Sequence, residues 1–123
     1  MSDEPPQVYA VRVVPSVAAW IEEEHAAQAS RNGGAAADVW ERGLLAALAS
    51  LATDPLRCAI AAEDALFPHG ALRLLLYPVR RGAAVWRILF TVQKGDEDAP
   101  AVYVRLTRQA AQAPLDAWPA EGN

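Results

Sequence analysis

The sequence predicts an α+β domain: an N-terminal strand, an antiparallel helix hairpin and then a three-stranded antiparallel sheet, with the helices on one face. Three observations point there. Apolar residues recur at spacings of three and four between residues 16 and 52. β-Branched and aromatic residues dominate three runs after residue 70. Turn-forming Pro, Gly and Asn punctuate the chain between these segments. At 123 residues the chain has room for one domain with a real core. Residues 1–7 read as a flexible start, 8–112 as the domain and 113–123 as a loosely ordered tail.

Taken in order, residues 8–14 ("VYAVRVV") form the first strand, stopped by Pro15. Ser16 then suits an N-cap. The following helix turns Val17, Trp20 and Ile21 inward and leaves Glu22, Glu23 and Glu24 in water. "RNGG" at 31–34 ends it, because Asn and Gly tolerate the left-handed conformation. A second helix over 35–52 carries Ala36, Trp40, Gly43, Leu44, Ala47, Leu48 and Leu51 on one stripe. Gly43 costs about 1 kcal/mol of helix propensity there, which close approach of the partner helix would offset. Pro55 stops the helix. Residues 56–70 read as irregular, and strands follow at 71–79, 83–92 and 101–106. Trp20, Trp40 and Trp86 fill the core, with Trp118 left to cover an edge or meet a partner.

The composition excludes several classes. A single Cys58 allows neither an internal disulfide nor a multi-cysteine metal site. No apolar run approaches the roughly 20 residues of a membrane span, and the acidic, proline-containing start is no secretory signal. The expectation is a cytoplasmic protein with no membrane partner, no metal and no cofactor. Asp96–Asp98 reads as a solvated loop, since three successive acids do not face one ion. His25 and His69 read as solvated surface residues. Net charge is −4, from 11 Lys and Arg against 15 Asp and Glu, yet it is uneven. Residues 1–64 carry 4 basic and 10 acidic residues, whereas 65–108 carry 7 and 3, and no acid occurs from Ala65 to Gly95.

Arg87 poses the central question, because it sits in the most apolar strand and an unpaired buried charge is expensive. Alternation gives Trp86, Ile88, Phe90 and Val92 one face and Val85, Arg87, Leu89 and Thr91 the other. Matching the apolar sets puts Leu72, Leu74 and Leu76 beside the first group. It also implies an odd loop, "RRG" at 80–82 with Gly82 left-handed, setting Leu76 opposite Trp86 and Leu75 opposite Arg87. In the last strand Val102, Val104 and Leu106 face inward. Arg73, Tyr77, Arg87, Tyr103 and Arg105 then share an open face. Such a face is either amphipathic cover, with arginine stems over Leu75 and Leu89, or a concavity for an anion or a partner, since guanidinium forks suit phosphates and carboxylates.

Three runs carry a family resemblance: "LLAALASLATDPLRC" (44–58), "LRLLLYPVRRGAAVWRILFTV" (72–92) and "VYVRLTRQAAQ" (102–112). Over residues 8–112 the chain resembles the RelE/ParE superfamily of type II toxins, the plasmid-stabilisation proteins, with their β-α-α-β-β-β order. The resemblance implies a toxin neutralised by a cognate antitoxin, either as a homodimer or as a toxin–antitoxin hetero-oligomer. RelE-like members cut messenger RNA on the ribosome and ParE-like members poison DNA gyrase. Arg87 matches the arginine of the family's "YRILF", Arg73 that of the preceding strand and Arg108 the first of "RHGxR", with Trp86 replacing the tyrosine. Candidate catalytic residues are therefore Arg73, Arg87, Arg108, Tyr77 and Tyr103. The partner- or phosphate-binding face adds Arg80, Arg81 and Arg105. Gln109 and Gln112 stand where the family pattern has histidine and its closing arginine. Glutamine shuttles no proton near neutral pH, which favours the ParE-like reading over the nuclease, with an inert antitoxin-binding relative as a third.

Overall fold

The structure is a computed structural model that describes residues 8–68, 70–78, 85–94 and 99–119. Strand β1 (Ala10–Val13) leads into helices α1 (Pro15–Asn32) and α2 (Gly34–Ala49), and strands β2 (Arg73–Pro78), β3 (Val85–Lys94) and β4 (Pro100–Gln109) follow. The fold is α+β, with two helices and a four-stranded mixed sheet in the order β1-β4-β3-β2. The last three strands are antiparallel neighbours, as their alternation predicts. The N-terminal strand is part of the same sheet, lying parallel to β4 from Ala10 beside Ala101 to Val13 beside Val104. Short 3₁₀ turns at Ser50–Ala52, Pro55–Arg57 and Ala62–Leu66 occupy much of the stretch between α2 and β2.

The helices pair through Trp20 against Trp40 and His25 against Asp38, residues whose numbers run in opposite senses, so α1 and α2 are antiparallel. Pro15 occupies the first turn of α1 and Val14 stands at the cap in extended conformation, so Ser16 is not the N-cap. Proline suits that place because its missing N–H would lack a helical partner in any case. Gly33, with φ 93°, links the helices. On α2 the buried stripe is Ala37, Trp40, Leu44 and Leu48, and Ala36 is exposed. Beneath both helices Trp40, Leu44 and Leu48 meet Trp86, Ile88, Phe90, Val102 and Val104. Trp20, Trp40 and Trp86 touch edge-on in a triangle, at centroid distances of 5.2 to 5.9 Å.

The register of β2 departs from expectation by one residue. Leu76 lies opposite Arg87, Leu75 opposite Ile88 and Tyr77 opposite Trp86. Pro78 pairs with Val85, which leaves an even number of residues between the paired ends rather than an odd one. The expected "RRG" turn itself lies outside the described residues. A slip of one residue exchanges the faces of a whole strand. Accordingly Tyr77 joins the helix-side core, whereas Leu72 and Leu74 pack on the far side. The cause is a second core on that far side: Ala61, Phe67, Leu72 and Leu89, flanked by Leu74, Leu106 and Trp118. A strand with leucines on both faces satisfies either register until something covers the second face.

Strand β4 departs as well. Leu89 pairs with Leu106 but Phe90 with Val104, so Arg105 is an extra residue in the ladder. Such a bulge reverses the alternation beyond it. Val102 and Val104 remain under the helices as expected, but Leu106 joins the second core. The same reversal sets Arg108 directly beside Arg87. Gly43 admits the Tyr77 hydroxyl from β2 rather than a close helix, because a Cβ there would overlap that hydroxyl and stand 2.9 Å from Cζ.

Candidate functional site

Arg87 points away from the helices, as its alternation predicts, but the face it enters is not open. The 3₁₀ turn Ala62–Leu66 crosses that face and presents Glu63 to it. Arg87 Nε donates to Glu63 Oε2 at 3.1 Å and Arg87 Nη2 to Oε1 at 2.6 Å, a two-pronged fork. Arg108 Nη1 donates to the same Oε2 at 3.2 Å, and its Nη2 donates to the carbonyl of Ala113. Glu63 is 7% exposed and Arg108 8%, while the Arg87 side chain keeps 21%. Burial by itself would raise the Glu63 carboxyl. The bonds from Arg87, from its own backbone N–H and from Arg108, with the Arg87 charge, outweigh burial and hold it below its ordinary value.

The cluster floors a cleft of about 270 Å³. Ala62 and Leu66 form one wall, and Ala110, Pro114 and Leu115 the other, with Gln112 at the rim. Gln112 is exposed and its Oε1 accepts the Gln109 backbone N–H at 2.7 Å. Farther along the same face, the Arg105 guanidinium sits over the Phe67 and Tyr103 rings, 5.8 and 5.3 Å from their centroids. Arg105 also donates to Thr91 Oγ1 and Gln93 Oε1. Trp118, from the tail, meets Phe67 edge-on at 4.8 Å.

The predicted site residues therefore divide. Arg87 and Arg108 come together, and Tyr103 and Arg105 share their face. Arg73 does not join them: the β2 register pairs it with Phe90 on the helix side, where its Nη1 donates to the Cys58 carbonyl at 2.7 Å. Tyr77 faces the helices too, buried, with its hydroxyl donating to the Trp40 carbonyl at 3.1 Å. Burial raises its pKa above the usual tyrosine value. Arg80 and Arg81, His69 and the acidic run 96–98 lie outside the described residues. His25 Nε2 lies 2.8 Å from Asp38 Oδ1, on the helix pair and apart from the cleft.

Glu63 is the residue that sequence reasoning did not single out. A signal for it existed. With no acid from Ala65 to Gly95, a counter-charge for Arg87 has to come from elsewhere, and Glu63 and Asp64 stand just before that span. Among the described residues no helix is long and apolar enough to cross a membrane, and no group of three or more His, Cys, Asp or Glu is placed to hold a metal ion. No family model, no curated protein and no solved structure matches this chain.

Proposed function

We propose that this chain is the toxin component of a type II toxin–antitoxin, or plasmid-stabilisation, module. In this reading it is a RelE/ParE-like protein that acts by contact with DNA gyrase and is held inactive by a cognate antitoxin. The family motifs at 44–58, 72–92 and 102–112, set on a strand, two helices and three strands, support the assignment. The observation that favours protein contact over RNA cleavage is the capture of Arg87 by Glu63. A phosphate clamp needs whole guanidinium forks aimed at the ligand, and here the Nε–Nη2 fork of Arg87 is engaged by a carboxylate, which leaves only its remaining N–H groups and sets a like charge beside any phosphate. Affinity for a nucleic acid grows with the number of phosphates neutralised, and two arginines sharing one glutamate leave a single surplus charge.

Ribosome-dependent cleavage of messenger RNA is the second reading. It is favoured by the pairing of Arg87 directly beside Arg108, which puts two guanidiniums at one end of the sheet. Induction of the chain in bacteria, scored for growth, message integrity and gyrase supercoiling, separates the two. Growth arrest with intact messages and inhibited supercoiling is the expected result. Cleaved messages with unaffected supercoiling would replace the gyrase reading by the nuclease, and harmless induction would discard both in favour of an inert antitoxin-binding relative.

A further inference from the structure

The Arg87–Glu63–Arg108 cluster is not electrically complete. Glu63 supplies one negative charge to two guanidiniums, both of its oxygens are engaged, and among the described residues no other carboxylate pairs with either arginine. One positive charge therefore remains at the floor of a cleft whose walls, Ala62, Leu66, Ala110, Pro114 and Leu115, are largely hydrocarbon. A partly buried surplus charge is costly, and a ligand of opposite charge removes that cost. We infer that this cleft is a binding site for a carboxylate carried on a short aliphatic body, either a free branched-chain acid or the C-terminal carboxylate of a peptide ending in such a residue.

Charge and shape both select this chemistry. A carboxylate carries the one negative charge the cluster lacks. Inorganic phosphate near neutrality carries more, and would crowd the Glu63 carboxylate with like charge. Guanidinium N–H groups not used on Glu63 or Ala113 provide the donors. At about 270 Å³ the cleft falls just below the ordinary range for drug-sized ligands, about the size of one residue with its terminal group.

The test is a titration followed through the arginine Nε–H signals in ¹H–¹⁵N spectra of the full chain. Isocaproate should shift the Arg87 and Arg108 signals saturably, and isocaproamide, its uncharged isostere, should not. The variant Gln112→Glu puts a carboxylate at the exposed rim and keeps the bond from the Gln109 N–H, so it should fold normally and weaken isocaproate binding by about fivefold, as one added charge about 4 Å away does at the dielectric constant of water. Acetyl-Ala-Leu with a free C-terminus decides the source. Tighter binding than isocaproate identifies a peptide terminus, and equal or weaker binding a free acid. Equal shifts from the amide, undiminished binding by Gln112→Glu, or preference for inorganic phosphate or oligouridylate would each overturn the inference. The site stands apart from the toxin reading: carboxylate binding by a harmless chain removes only that reading, and toxicity without carboxylate binding removes only the site.

Discussion

Trp86 and Arg87 are neighbours in β3, and the two sides of the sheet they enter are held by different forces. The Trp86 side is closed by two full helices and three mutually touching tryptophans, with Ile88, Phe90, Val102 and Val104 fully buried between them. The Arg87 side is closed by one 3₁₀ turn and the start of the tail, through a four-residue apolar cluster and a three-membered ion pair. Burial of hydrocarbon is proportional to area and nearly indifferent to direction, so the first side tolerates adjustment. Ion pairs at low exposure depend on every partner being present. The helix side therefore carries most of the stability, and the other side is where chemistry is concentrated.

Adjacent residues in β3 test this most directly. Phe90→Ala empties the helix-side core and should cost about 3–5 kcal/mol, the usual range for a buried phenylalanine. Leu89→Ala, equally buried but facing the small cluster, should fall near the lower end of the 2–5 kcal/mol range for leucine, because the turn and tail above it can settle into the space. Urea unfolding of both variants gives the comparison. Equal losses would mean that the two sides are equivalent.

Removing the central charge is the next largest perturbation. Glu63→Gln leaves two guanidiniums facing each other at low exposure and should cost about 3 kcal/mol. Adding Arg108→Gln should recover part of that, since the double variant buries less unpaired charge, and a double-mutant cycle measures the coupling. The pH dependence follows the same group. Because the folded chain holds the Glu63 carboxyl below its ordinary value, its contribution is complete above the unfolded value of about 4.3 and drains away as pH falls through the lower folded value. Glu63→Gln should therefore flatten the acid limb of stability against pH. An unchanged limb would show that other carboxylates govern acid unfolding.

The asymmetry also explains what could be read from the chain and what could not. Helices α1 and α2, the order of elements and the faces of β3 follow from periodicity alone, because each has one apolar side. Strand β2 does not: "LRLLLY" is apolar on both sides, and alternation cannot choose between registers that bury Leu72 and Leu74 or Leu75 and Tyr77 under the helices. The choice depends on Phe67 and Ala61 arriving from the irregular stretch, a tertiary event without a local signature. The bulge at Arg105 is likewise invisible to period-two reasoning, yet it brings Arg108 to Arg87. Two of the cluster's three members, Arg87 and Arg108, were thus singled out in advance, and the acid that organises it was not.

Gly43 sharpens the comparison from the helix side. Gly43→Ala forces the Tyr77 ring to move and breaks its bond to the Trp40 carbonyl, so the gain in helix propensity should be overridden by an overpacking loss of about 2 kcal/mol. Tyr77→Phe alone should cost about 1 kcal/mol for the lost hydrogen bond, and the pair should lose less than the sum because the hydroxyl that meets Cβ is gone. Tyr77 has the opposite pH signature to Glu63. Its pKa is raised by burial, so its contribution is complete below about 10 and is lost as pH rises through the higher folded value. Thermal unfolding at alkaline pH should show a shallower decline in Tyr77→Phe than in the parent chain.

The smallest effect is expected where the second side is thinnest. Trp118 rests edge-on against Phe67, and its indole Nε1 is buried with no partner among the described residues. An aromatic pair contributes about 0.5–1.5 kcal/mol, but an unsatisfied indole N–H subtracts from that, so Trp118→Ala should change global stability by about 1 kcal/mol or less. Hydrogen exchange should respond more than global unfolding does. The amides of Leu89 and Leu106, over which the tail sits, should lose protection, while those of α1 and α2 keep theirs, because local opening of a lightly held segment need not engage the main core. A uniform fall in protection across both sides would instead tie the tail to the helix-side core, and the division between the two faces would then have to be abandoned.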